Sequence, residues 1–446
     1  MARFIPSDRD QPFLMPPDLR DWVPQDDLVH FIIAAVNRVS MSAFKVNTRG
    51  SGSAQYEPRM MVALLVYCYS QGVMSSRRIE KATHYDVRVR LVAANTHPDH
   101  DTIATFRRDN GPAFAVAFHE VLQLAMELKI LKVGTISVDG SKFNANANIH
   151  KSVRYDRAVA LREQLRLEID DLLKQAEKAD ATPDVDPQNL PKEIARRQDL
   201  QAKMNAACER LEKQAKERAV SEQADYEKRK KKHDDTGGGK PPSPPSVEPR
   251  PEEQTNLVDP ESRIMRKNKR SEYRQAYNAQ AGVDADGTQL ILATGVTQSA
   301  SDANELIPIV NEVERLVGKP ETALVDTGYA NGEAVAEIEE RGTEVLVPIR
   351  GTAQRRQHDF RPPLPEKPVK EPKLPWMKTM KEKMATKAAK AKYKLRKQTV
   401  EPVFGIIKQG MGFRQFLLRG IDKVRIEFQL VALAYNCRRL HTLSLA

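Results

Sequence analysis

The stretch Ile136–Asn148, ISVDGSKFNANAN, runs from a β-branched apolar segment into Asp139 and then at once into glycine, serine, lysine and a string of asparagines. A strand that stops on a carboxylate has two readings. Asp followed by Gly is ordinary turn chemistry, because the aspartate can hydrogen-bond its own backbone and glycine bends freely. The other reading is an oxygen ligand presented at a strand end, which one aspartate cannot support alone. The choice depends on partners elsewhere in the chain.

Downstream, YRQAYNAQAGVDADGTQLILATGV holds two strand-like runs around an Asp-Gly turn and predicts a hairpin. SDANELIPIVNEVERLVG predicts an amphipathic helix, with Asp302 and Glu305 at capping-box spacing. ETALVDTGYANGEAVAEIEERG then reads as strand, turn and helix, and TEVLVPIRG as a further strand. A proline-crowded loop, RPPLPEKPVKEPKLPW, leads into a basic helical segment that contains TVEPVFGIIKQG.

The chain just after the Asp139 strand has a different character. From Arg154 to about Lys232 it is helical and highly charged, with one apolar stripe at Leu161, Leu165, Ile169 and Leu172 and another at Leu200, Met204, Ala207 and Leu211. ATPDVDPQNLP separates the stripes, so a protruding antiparallel helical hairpin is the economical reading. KRKKKHDDTGGGKPPSPPSVEPRPEEQ loses periodicity and predicts a flexible linker. Without the insertion the order is βββαβαβα, that of an α/β, ribonuclease H-like mixed sheet flanked by helices.

Ahead of the first strand, about Asp26 to Leu131 has helical spacing throughout, broken at GSGSAQYEP and Gly72. Short helices, tight turns and exposed arginines suit a helix-turn-helix-like DNA module, with Arg107 and Arg108 as candidate phosphate contacts; a plain bundle with solvated arginines is the alternative. The expected organisation is therefore a helical DNA-binding domain over 1–130, a catalytic domain over 131–153 and 270–446, a helical hairpin over 154–235 and a linker over 236–269.

Composition narrows the class. The 446 residues leave room for two or three domains, and a net charge of +11 is compatible with a polyanionic partner such as nucleic acid. Cys68, Cys208 and Cys437 are scattered and odd in number, which argues against a disulfide framework or a thiolate zinc site. MARFIPSDRDQPF lacks a signal pattern, and apolar runs such as VALLVYCY are far too short to span a bilayer. A cytoplasmic, nucleoid-associated protein without membrane contact is expected.

In the inferred topology the ends of the first and fourth strands lie side by side with a late helix across them. Asp139 ends the first, ALVDTGY puts Asp326 at the end of the fourth, and TVEPVFGIIK offers Glu401 on the helix. Pro402 disfavours helix at Glu401 unless a new helix starts at Thr399, which would cap it. Three gathered carboxylates repel unless a cation neutralises them, and hard oxygen ligands suit Mg²⁺ or Mn²⁺. Two such ions, roughly 3.5 to 4 Å apart, suit in-line phosphoryl displacement. Each acid alone is weak, as a turn residue or a solvated helix acid; their joint placement carries the reading. His97 and His100 in THPDHD read as a polar loop, and Trp376 as packing in its proline-rich loop.

These motifs resemble the DDE-type transposases of bacterial insertion sequences, most closely the group named after insertion sequence eleven-eighty-two. The resemblance runs over nearly the whole chain: ATHYDVRVRLV and DTIATFRRDN, SVDGSKFNANAN, QAYNAQAGVD with VTQSASDANEL, DTGY, and EPVFGIIKQGMGFRQFLLRG with LVALAYNCRRLH. It implies a C-terminal signature of Tyr, Arg, Glu and Lys with two, three and six residues between members. Tyr393 and Arg396 keep the first spacing and Glu401 and Lys408 the last, but four residues separate Arg396 from Glu401, so either Lys397 replaces the arginine or a helix break absorbs the extra residue.

It further implies that Asp139, Asp326 and Glu401 hold two Mg²⁺ or Mn²⁺ ions. Lys142, Arg396, Lys408 and Tyr393 lie near them for DNA contact, and the partners are double-stranded element ends and target DNA, with a homodimer or higher assembly at synapsis. The implied activity is cutting at terminal inverted repeats and joining 3′-hydroxyl ends to a target. A catalytically decayed DNA-binding protein and a ribonuclease H-like nuclease are the competing readings.

Overall fold

The computed structural model describes residues 18–46, 54–180, 190–236, 241–266, 271–349 and 374–445. In chain order the helices and strands are α1 (Leu28–Asn37), α2 (Pro58–Ser70), α3 (Ser76–Tyr85), α4 (Val87–Val92), α5 (His100–Asp109), α6 (Gly111–Glu127), β1 (Thr135–Asn144), β2 (Ser152–Arg154), α7 (Tyr155–Asp180), α8 (Leu190–Thr236), β3 (Gln254–Asn256), β4 (Arg263–Met265), β5 (Arg274–Asp284), β6 (Ile291–Thr297), α9 (Leu306–Val317), β7 (Thr322–Leu324), α10 (Gly332–Glu340), β8 (Glu344–Leu346), α11 (Pro375–Ala385), α12 (Lys387–Gly405) and α13 (Ile421–Ser444). They form two compact units, residues 1–143 with 278–446, and residues 144–277.

In the first unit the strands run in the order β6–β5–β1–β7–β8, the ribonuclease H-like arrangement. β5 and β6 form the expected antiparallel hairpin around the Asp-Gly turn, while β1, β7 and β8 are parallel. The register sets Ser137 beside Leu324, and Leu324 beside Leu346. Leu324 and Leu346 pack with Ala389, Tyr393 and Leu395 of α12, which fixes α12 over that face of the sheet. Asn436 of α13 satisfies both backbone groups of Ile291, receiving its N–H at 2.9 Å and donating to its C=O at 2.8 Å, and so ties α13 to β6. α13 also packs on α2 and α6, so the boundary near residue 130 is a change of element type and not a break in packing.

In the second unit α7 and α8 pair along a seam of Ala158, Leu165, Met204, Ala207 and Cys208, so the insertion is the helical hairpin its stripes predicted. Leu200 departs from its stripe and is exposed. The linker reading over 236–269 is corrected for the described part. Gln254–Asn256 pairs with β2, and Arg263–Met265 pairs with the opening residues of β5. Asn256, Asp259 and Ser262 are buried, the Tyr277 hydroxyl donates to Asp259 at 2.9 Å, and Ser262 bonds Gln275 at 2.8 Å. These polar groups are held by long-range hydrogen bonds, which low hydrophobicity and missing periodicity do not reveal.

The Arg107 assignment is also corrected. Arg107 is buried, donating to the Tyr69 hydroxyl at 2.8 Å and to Met74 C=O at 3.2 Å, so its charge serves the helical core and is closed to a phosphate. Arg108, on the same helix, is exposed and paired with Asp109 at 2.8 Å. His97 bonds Thr83 and His100, the first residue of α5 and not part of the loop, bonds Glu80, so the two histidines fasten α3 to the start of α5 and the turn before it.

Candidate active site

β1 alternates, so Asp139, Ser141 and Phe143 point to one side. Each meets α12 or the π-helical turn Ile406–Gly410 that continues it. Asp139 Oδ2 receives Arg396 Nη2 at 2.9 Å. Ser141 Oγ receives Lys408 Nζ at 2.6 Å, and the same ammonium donates to Lys142 C=O at 2.8 Å. Phe143 sits among Phe404, Phe413, Phe416 and Phe428 at centroid separations of 5.5–6.2 Å, with Lys408 Nζ 4.3 Å from its ring centre. An aromatic cluster at the strand end and a lysine clamp in the middle thus hold the segment carrying Asp139.

The parallel register carries the second acid to the same level. Ser137 pairs with Leu324. Asp139 lies two residues further along β1, which does not stop on the carboxylate as the sequence suggests but runs on to Asn144, and Asp326 lies two residues on from Leu324, just past the end of β7. Asp326 caps the short 3₁₀ turn Thr327–Tyr329 and accepts the Gly328 N–H at 2.6 Å. Asp139 senses the neighbouring Asp326. Burial pushes Asp139 up to about 6, Arg396 works against that rise, and Asp326 and Asp302 add to it.

Arg396 is nearly buried, with 9% of its side chain exposed, and spans Asp139 and Glu401, its Nη1 lying 3.3 Å from Glu401 Oε1. Burial opposes its charge, but the carboxylates of Asp139, Asp326 and Glu401 hold its pKa above the ordinary arginine value. Its Nε finds no partner among the described residues. Tyr393 donates to Val325 C=O at 3.1 Å, so it fixes α12 to the residue before Asp326, and burial pushes its hydroxyl up to about 12.

The signature's extra residue is absorbed without a break. α12 continues through Pro402, and Thr399, expected as a cap, bonds back to Leu395 C=O at 2.9 Å instead. Arg396, not the exposed Lys397, faces the site. Pro402 has no N–H for Gln398 C=O, the acceptor one helical turn back. Gln289 Nε2, from the β5–β6 turn, donates to that carbonyl at 2.7 Å and takes the missing amide's place. Trp376 packs its indole against Gly332.

Sequence reasoning misplaced one member of this neighbourhood. Asp302, expected as a helix cap, caps nothing: α9 starts after Glu305 without a side-chain cap. Instead Asp302 Oδ1 receives Asn278 Nδ2 and Gln280 Nε2, both at 2.7 Å. The available signal was YNAQA, two amide side chains two positions apart and so on one face of a strand, and both prove to be buried.

The donor set is that of a hard divalent cation, all carboxylate oxygen. Asp139 and Asp326 meet by register, whereas Glu401 is 55% exposed and held on Arg396. Among the described residues no group of three or more His, Cys, Asp and Glu side chains is gathered closely enough to hold a metal. Arg396 is here the cation that neutralises the acids.

A ribonuclease H-like sheet with one aspartate midway along β1, another in the turn just past the neighbouring parallel β7, and an arginine- and acid-bearing helix across them defines a class of α/β proteins. Two family models match the chain: Transposase DDE domain over residues 246–437 and Transposase domain (DUF772) over residues 17–109. The chain belongs to the DDE-type transposases, of the kind that insertion sequences carry. The first match covers Asp326, Arg396, Glu401 and Lys408 but begins after Asp139. The comparisons with curated proteins and with solved structures returned no match. Members of the family generally depend on divalent metal, and no described helix is long and apolar enough to cross a membrane.

Proposed function

We propose that this transposase binds the terminal inverted repeats of its own insertion sequence, cleaves at the ends and joins the 3′-hydroxyls to target DNA, with Asp139, Asp326 and Glu401 as its catalytic acids. The observation that carries the reading is the register that levels Asp139 with Asp326 beneath α12. In it the three acids hold Mg²⁺ or Mn²⁺, as two ions, once Glu401 turns from Arg396. Bound there, a divalent cation supplies Lewis-acid stabilisation of phosphate oxygens and eases deprotonation of the attacking hydroxyl.

The remaining roles belong to the chain itself. Arg396, released from the carboxylates, holds a phosphate through its planar fork. Lys408 keeps Asp139's segment against α12 and, with Lys142, adds positive charge for the DNA backbone. Tyr393 anchors α12 beside Asp326. Arg108 contacts phosphate from the helical region. The narrower kinship, to the group of insertion sequence eleven-eighty-two, and a synaptic assembly of at least two copies are part of the same proposal.

The test is incubation of the purified protein with DNA carrying the sequences that flank its reading frame, in Mg²⁺ or Mn²⁺, with mapping of nicks and of joined products. Nicks at the ends of imperfect inverted repeats are expected; nicks scattered without regard to the ends would instead support a general nuclease. A second reading, a DNA-binding protein that has lost its chemistry, is favoured by the exposed position of Glu401. It predicts specific capture of end DNA with no nicking in either metal.

A further inference from the structure

Asp302 stands between the segments that carry the two aspartates. A Cβ added at Gly140, the residue after Asp139, would run into Gln280 Nε2 and lie 2.6 Å from Asp302 Oδ1. A Cβ added at Gly328, in the turn that Asp326 caps, would lie 3.4 Å from Asp302 Oδ2. The close approach therefore requires glycine at position 140, whereas at Gly328 the contact with Asp302 is an ordinary one and the clash of an added Cβ, at 2.8 Å, is with Asp326 Oδ1.

The hydrogen bonds give this contact a direction. A carboxylate only accepts, so Asp302 Oδ1 draws the amide N–H groups of both Asn278 and Gln280, each at 2.7 Å. That fixes the orientation of Gln280's amide and turns its Oε1 toward the Tyr329 hydroxyl, which donates to it. Tyr329 is fully buried and closes the 3₁₀ turn that begins at Asp326. One continuous chain thus runs from Asp302 through Gln280, beside Gly140, to Tyr329 in the Asp326 turn.

We infer that Asp302 is a positioning residue, which acts through Gln280 and Tyr329 to fix the separation of Asp139 and Asp326 and thereby sets the affinity of the site for divalent cation. The inference rests on the proposed metal-holding role of those two aspartates. Asp302 acts as a hydrogen-bond acceptor, so its charge is dispensable while its oxygen is not. Asn at this position keeps an acceptor for both amides; Ala does not.

The experiment measures Mn²⁺ binding by the full-length protein without DNA, from the electron paramagnetic resonance signal of free Mn²⁺, with thermal melts to verify folding. Relative to wild type, Asp302→Ala is expected to weaken Mn²⁺ binding by about tenfold or more, the size usual for a residue that orients metal ligands. Asp302→Asn is expected to stay within about threefold, below the range usual for losing such a residue. Wild-type affinity in the alanine variant overturns the inference and leaves the metal-site reading standing. So does an asparagine variant as weak as alanine, which would mean that the carboxylate charge itself is needed. A wild-type protein that binds no Mn²⁺ overturns both.

Discussion

Arg396 joins Asp139 to Glu401: its two terminal nitrogens lie 2.9 Å and 3.3 Å from the two carboxylates. A buried guanidinium between acids repays its desolvation only through such pairing, and removing one partner leaves an uncompensated charge. The site therefore carries its own cation, which must yield for a divalent ion to enter.

The first prediction concerns pH. Asp139, pushed up to about 6, must lose its proton before it can hold a cation, so Mn²⁺ binding is expected to fall as pH drops through about 6. Arg396 restrains that rise, so Arg396→Met should move the falling limb to higher pH, as read from Mn²⁺ titrations at a series of pH values. The stability effect has the opposite sense. A carboxyl whose folded pKa is raised contributes stability at low pH that is lost as pH climbs from the ordinary carboxylate range through about 6. Asp139→Asn should remove that loss, at most about 1.4 kcal/mol per pH unit, in melts across the same range.

The two adjacent arginines of α5 should separate cleanly. Arg107→Ala strips donors from buried Tyr69 and Met74 and is expected to destabilise the protein by about 2–4 kcal/mol. The slope of end-DNA affinity against salt should not change for the folded fraction. Arg108→Ala should leave the melt unchanged and lower that slope by about one phosphate contact. Equal melts for the two variants would contradict the burial of Arg107.

A double-mutant cycle can test how the proline is tolerated. Gln289→Ala leaves Gln398 C=O without its donor and should cost about 1 kcal/mol. Pro402→Ala restores a helical N–H to that carbonyl, so in its background Gln289→Ala should cost almost nothing. Additive effects on the unfolding free energy would show that the two residues are unconnected.

Gly140→Ala should be among the most damaging small substitutions. Its methyl group lands on Gln280 and Asp302, neither of which can withdraw without breaking the bonds to Asn278 or Tyr329. Loss of Mn²⁺ binding with a lowered melting temperature is expected, whereas Gly405→Ala, with open space around it, should retain both.

The strand order was legible in sequence because each signal was local: β-branched runs, an Asp-Gly hairpin turn, and apolar stripes at helical spacing. The level placement of Asp139 and Asp326 came from the inferred topology. What escaped depends on distant partners. Asp302 looked like a cap because cap patterns are read over four residues, whereas the amides that claim it lie on a preceding strand. Asn256 and Asp259 looked like linker because their hydrogen bonds to Asn148 and Tyr277 carry no compositional trace. Arg107 and Arg108 are indistinguishable as letters, and only the packing of α5 buries one and exposes the other.

The most direct measurement is cleavage of end-bearing DNA in Mg²⁺ by the wild type and by Asp139→Asn, Asp326→Asn and Glu401→Gln, with end binding tracked in parallel by mobility shift. Each variant is predicted to bind end DNA within a few-fold of wild type and to lose cleavage by about a thousandfold or more, as expected for groups on which transition-state stabilisation depends. Cleavage that survives in all three variants would contradict the assignment of these acids and, with it, the central claim.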